Sequence, residues 1–77
     1  MEIKRILGTV LKEIREKQNI TQARLAEICD LDVDYISKIE RGVRQPSLST
    51  LFDMADALNT PMAKIMENVD RMRRSKS

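Results

Sequence analysis

Apolar side chains recur at Ile3, Ile6, Leu7, Val10, Leu11 and Ile14, a helical spacing that lays one stripe along a rod. Lys4, Arg5, Lys12, Glu13, Glu16 and Lys17 fall on the other side, so the pattern predicts an amphipathic helix over residues 3–18. The segments that follow are shorter. Thr21 offers an N-cap oxygen ahead of Gln22 to Ile28, and Asp32 does the same ahead of Val33 to Arg41. Gly42 ends the third helix, because glycine enters the left-handed region without penalty. Pro46-Ser47 opens a fourth, with a stripe of Leu48, Leu51, Phe52, Ala55 and Leu58 that leaves Met54 to one side. Thr60-Pro61 opens a fifth, with proline at the first helical position and Met62, Ile65, Met66 and Val69 along one face. No strand-like alternation of β-branched residues appears, so an all-α fold of five short, orthogonally packed helices is expected.

Composition narrows the chemistry. Seventy-seven residues support one hydrophobic core and no second. No apolar run approaches the roughly 20 residues that span a bilayer, and charges interrupt the N-terminal segment too often for a signal peptide. A cytoplasmic address without a membrane partner is expected. Cys29 is the only cysteine and histidine is absent, which removes an internal disulfide, Cys/His zinc sites and His-based catalytic arrangements. With Gly8 and Gly42 the only glycines, no phosphate-cradling glycine loop is present. The expectation is therefore not an enzyme: no catalytic residue, metal, cofactor or small-molecule ligand. The net charge of +2 is too small to argue for nucleic acid. Its distribution says more, since a segment rich in acid over residues 48–70 precedes Arg71, Arg73, Arg74 and Lys76. Residues 1–70 are expected to form the domain and residues 71–77 a basic, flexible tail.

The second and third helices are each about two turns long, too short to hold alone, and Cys29-Asp30-Leu31 joins them. Two short helices with such a connector suit a helix-turn-helix. Leu25, Ile36 and Ile39 supply its inward face, Leu31 fills the turn, and Ala26 is small where the helices cross. The run TQARLAEICDLDVDYISKIERGVRQPSLSTL resembles the Cro/cI-like (XRE) helix-turn-helix family, over roughly residues 5–68. Thr-Gln opens helix two, Leu-Ala lies within it, Ile-Ser and Ile-Glu-x-Gly lie in helix three, and Pro-Ser-Leu opens helix four. More narrowly, the short chain is similar to the small controller proteins of restriction–modification systems. Two positions depart from the family pattern: Asp30 stands where the turn usually has glycine, and Cys29 where alanine is frequent.

The resemblance implies a lambda-repressor-like DNA-binding domain that places its third helix in the major groove of double-stranded DNA. It implies base contacts from Val33, Asp34, Ser37 and Lys38, with Lys38 donating to guanine, Asp34 accepting from cytosine and Val33 meeting a thymine methyl. Phosphate contacts are expected from Gln22, at the N-terminus of helix two, and from Tyr35, Arg41, Arg44 and Gln45. Arg15 and Glu40 match positions that form a structural ion pair in the family. Asp32 and Asp34 suit the helix dipole but leave the motif less basic than a DNA reader's usually is.

One recognition helix reads few base pairs, so a homodimer on a (pseudo)palindromic operator is expected. Met54, Leu58, Met62, Ile65, Met66 and Val69 are the expected interface, because helix five carries more apolar length than a small core absorbs. The leading function is sequence-specific transcriptional regulation. The alternative is a protein-interaction module, antitoxin-like or an adaptor, on the same fold.

Overall fold

The computed structural model describes residues 3–75. Among the described residues the chain forms five helices and no strand: α1 (Ile3–Lys17), α2 (Gln22–Cys29), α3 (Val33–Glu40), α4 (Leu48–Ala57) and α5 (Met62–Ser75). Helix α1 lies against both α3 and α5, while α2 packs on α3 and α4. Their buried faces meet in one core, whose largest enclosed side chains are Leu11, Leu25, Ile36, Ile39, Met54, Leu58 and Ile65.

The helix starts follow the sequence signals, with one shift. Thr21 Oγ1 accepts from Arg24 N at 3.0 Å, Asp32 Oδ1 from Asp34 N at 2.9 Å, and Ser47 Oγ from Thr50 N at 3.2 Å. At α5, Pro61 sits one position earlier than expected: its carbonyl accepts the first helical bonds, from Lys64 and Ile65. Thr60 instead turns its hydroxyl back to Leu58 O at 2.9 Å.

The helix ends share one device. In α1 to α4 the chain leaves the helix through a left-handed residue, Asn19, Asp30, Gly42 or Asn59. The next N–H reaches back five residues, as in Ile20 to Arg15 O, Leu31 to Ala26 O, Val43 to Lys38 O and Thr60 to Ala55 O. Each is a Schellman closure, which satisfies carbonyls that a helix terminus otherwise leaves open.

Two expectations about apolar positions need correction. The stripe of α4 is rotated: Leu51, Met54, Ala55 and Leu58 are buried, whereas Leu48 and Phe52 are 69% and 48% exposed. Both sets obey helical spacing, and only packing against α2 and α5 selects between them. Consequently Met54, Leu58, Ile65 and Val69, expected at a dimer interface, are buried in the core of a single chain. Met62 is half-buried against that core, and of the six only Met66 is exposed. Helix α5 absorbs this apolar length because it lies along α1 as well as α4.

The basic end also differs from expectation. Arg71, Arg73 and Arg74, expected in a tail beyond the domain, continue α5 as its last turns. Met72 packs against the core, Arg74 Nε donates to Asp70 Oδ2 at 2.9 Å, and Arg73 pairs with the same carboxylate. Those hydrogen bonds, Arg73's first, hold the Asp70 carboxyl below its ordinary range. Residues 76 and 77 lie outside the described residues. No described helix is long and apolar enough to cross a membrane.

Candidate nucleic-acid interface

The candidate surface begins with the turn between α2 and α3. Asp30 adopts φ 56°, ψ 46°, the left-handed conformation that glycine would take more cheaply and that aspartate tolerates better than most residues. With Leu31 tucked beneath the turn and Asp32 capping the next helix, α3 is set firmly on α2. Its inner face is closed: Ile36 and Ile39 have no exposure at all. Its outer face is open, with Val33 and Asp34 exposed and Ser37 and Lys38 half-buried. All four residues expected to face bases therefore lie on the free side of this helix.

Their side chains are partly organised already. Lys38 Nζ lies 3.0 Å from Asp34 Oδ2, one turn back along α3. The two side chains are 41% and 65% exposed, so this pair contributes at most about 1 kcal/mol and is readily exchanged for other partners. Arg41 Nε donates to Ser37 Oγ at 3.2 Å, a use of that hydroxyl with no mark in the sequence pattern. The Arg44 guanidinium stands over the Tyr35 ring, 5.6 Å from its centroid, which brings two expected phosphate ligands together. Gln45 is exposed in the loop before α4.

Gln22 is placed less simply. Its Nε2 turns inward and donates to Glu40 Oε1 at 2.9 Å. Glu40 is also gripped by Arg15, whose Nε reaches Oε2 at 2.7 Å and whose Nη2 reaches Oε1 at 3.0 Å. Arg15 Nη1 donates to Ile20 O at 2.7 Å, so the guanidinium ties α1, the loop before α2 and the end of α3. The Glu40 side chain is 1% exposed and that of Arg15 is 9%. Hydrogen bonding to Glu40 raises the Arg15 pKa against the opposing effect of burial. The Gln22–Glu40 bond leaves no mark in the sequence, because it joins residues 18 apart through the fold. Among the described residues no group of three or more His, Cys, Asp or Glu is placed to hold a metal ion.

A closed inner face, an open outer face and a tight left-handed turn define a helix-turn-helix domain. The chain belongs to the helix-turn-helix family (HTH_3) of the Cro/cI-like, XRE type, whose pattern matches residues 11–65. It is 42% identical over 66 residues to the control protein C.SmaI of Serratia marcescens, covering 86% of this chain and 79% of that one. The control protein C.BamHI of Bacillus amyloliquefaciens is 36% identical over 66 residues, covering 84% of this chain and 82% of that one. Among solved structures, the restriction-modification controller protein C.Esp1396I, a tetramer in complex with its natural 35 base-pair operator, superposes with a TM-score of 0.84. That match is 28% identical and covers 92% of this chain and 93% of the other.

Proposed function

We propose that this chain is a sequence-specific DNA-binding transcriptional regulator of the controller type, acting as a homodimer on a (pseudo)palindromic operator in the cytoplasm. The observation that carries the proposal is the two-sidedness of α3. Ile36, Ile39 and Glu40 lock it into the core, while Val33, Asp34, Ser37 and Lys38 lie on its outer side, where they can meet base edges. Gln22, Tyr35, Arg41, Arg44 and Gln45 flank that face as the phosphate-contacting set, which fixes register without reading sequence. The relatives named above, two control proteins and an operator-bound controller, support the same reading.

The dimer surface is assigned to α4 instead of the residues that the core has claimed. Leu48 and Phe52 are one turn apart on its solvent side, and they are too apolar to be left in water without cost. A two-fold axis through that face would pair each helix with its copy. Sedimentation of the wild type is expected to give twice 8.9 kDa, and Phe52→Glu the monomer mass. A wild-type monomer at high micromolar concentration overturns this assignment.

Selection of binders from a pool of random duplexes tests the function itself. The expected outcome is an enriched inverted repeat with half-sites about 34–36 Å apart. Lys38→Ala should relax discrimination at one base pair by ~1–3 kcal/mol. Arg44→Ala should weaken all duplexes alike and lower the salt slope by about one unit. No enriched motif and no salt-dependent binding would move the chain to the protein-interaction class.

A further inference from the structure

We infer that Glu40 is a positioning residue for DNA binding: it orients the Gln22 amide so that one N–H of that group faces a backbone phosphate at the start of α2. The inference rests on the DNA-binding reading above and goes beyond it, because it makes a buried carboxylate part of the phosphate contact.

The geometry leaves little freedom. A primary amide has an acceptor oxygen and a nitrogen with two hydrogens. Gln22 Nε2 stands 2.9 Å from Glu40 Oε1. The reverse orientation would set the amide oxygen against a carboxylate oxygen, two acceptors with no hydrogen between them. The amide is therefore held with its nitrogen inward. One hydrogen goes to Glu40, and the second diverges from it. Gln22 is half-buried and not enclosed, so that second donor stays within reach of a ligand.

Glu40 can impose this orientation because it cannot turn itself. Arg15 holds both of its oxygens, and Arg15 is anchored in turn on Ile20 O. The same arginine balances the carboxylate charge, so a phosphate meeting the Gln22 amide is not facing an unpaired anion. The neighbouring backbone favours an anion too. Thr21 caps Arg24 N and leaves the first N–H groups of α2 without a helical partner, and no acidic residue lies in that first turn. A glutamine free in solution would sample both amide orientations and several rotamers before contact; this one is set beforehand.

A double-mutant cycle on DNA affinity tests the linkage, with Gln22→Ala, Glu40→Gln and the double variant. The probe is a mixed-sequence duplex of about 30 base pairs at low salt, since phosphate contacts carry no base information. Measurements are made where circular dichroism shows each variant fully helical. Gln22→Ala is expected to weaken binding about tenfold, the loss of one hydrogen bond to a charged group. Glu40→Gln should weaken it several-fold in the wild-type background and have no effect once Gln22 is alanine. Equal effects of Glu40→Gln in both backgrounds would make Glu40 purely structural and overturn the inference.

Because Glu40→Gln disturbs a buried charge pair, a second measurement uses the unaltered protein. In its side-chain amide NMR spectrum, Gln22 is expected to show one hydrogen protected from exchange, unlike the exposed Gln45. Matching, unprotected signals from the two residues would overturn the inference without reference to DNA. Failure of the wild type to bind the duplex at all would sink the DNA-binding reading together with it, an outcome distinct from binding without coupling.

Discussion

Gly8→Ala separates two forces that act on α1 in opposite directions. Helix propensity alone favours alanine over glycine in a helix interior by about 1 kcal/mol. Packing opposes it. Gly8 is buried where α1 crosses the end of α3, and a Cβ there would stand 2.3 Å from Ile39 O and 2.8 Å from Glu40 O. Ordinary carbon–oxygen contact begins at about 3.3 Å, so α1 and α3 would have to separate by about 1 Å. The obstructing atoms are backbone carbonyls, which cannot swing aside as a side-chain tip can.

Overpacking of this kind costs ~1–3 kcal/mol, and a rigid obstacle argues for the upper end. Subtracting the propensity gain leaves a net loss of about 2 kcal/mol. For a domain of this size that lowers the melting temperature by about 8–16 °C. Differential scanning calorimetry checks the magnitude. DNA affinity at a temperature where the variant is folded checks whether α3 has been displaced, because Glu40 belongs to the same turn that must move. A melting temperature equal to or above the wild type would refute the close approach of α1 to α3, since only propensity would then remain.

Three further outcomes follow from the same contacts. Arg15→Ala leaves the enclosed Glu40 carboxylate without its counter-charge, and urea denaturation is expected to show a loss of ~3–5 kcal/mol, against much less for a paired replacement of Arg15 and Glu40 by apolar residues; equal losses would mean the pair is not buried. Asp30→Gly relieves the left-handed strain in the turn and should raise stability by roughly 0.5 kcal/mol without altering circular dichroism; a decrease would show that the aspartate makes a contact of its own. Burial, and then the nearby Asp53, push the Cys29 thiol above its ordinary pKa, so alkylation of the folded protein should be slow near neutrality and rise through a midpoint above that of the urea-unfolded chain. The sign for stability is the same: the folded state holds its proton more tightly, so the contribution is present at neutral pH and lost as pH rises through the thiol range. A midpoint at or below the unfolded value would place Cys29 in water.

The helices were legible because their signals are local. Thr21, Asp32 and Ser47 cap where a hydroxyl or carboxylate precedes an apolar run, and the outer face of α3 follows from the inward spacing of Ile36 and Ile39. What periodicity does not carry is the choice between equivalent stripes. On α4, Leu48 and Phe52 are as helical in spacing as Leu51, Met54, Ala55 and Leu58, and the partner helices decide which set is buried. That ambiguity put Met54 off the expected stripe and so at an interface, while Ile65 and Val69 were expected there because α5 carries more apolar length than a small core absorbs; the core takes all three. Arginines near the end of α5 read as a tail because charge was weighed without Asp70 and Met72, whose contacts extend the helix. The inward turn of Gln22 had no sequence signal, since its partner arrives from another helix.

The dependence of recognition on the core follows from the length of α3. Eight residues make a helix that nucleates poorly and is unstable by itself in water. Its outer face can hold a fixed position against DNA only if the inner face supplies the rigidity, and three kinds of contact do so. Ile36 and Ile39 bury its middle, the left-handed turn at Asp30 fixes its entry, and the Arg15–Glu40 pair fixes its exit to α1. The last of these also reaches Gln22 at the start of α2, so one carboxylate bonds to side chains from both neighbouring helices. A polar group this deeply enclosed costs solvation that an apolar replacement would avoid. Its compensation here is positional: it keeps the outer face of α3 and the Gln22 amide in one register, which an apolar plug at residue 40 could not do.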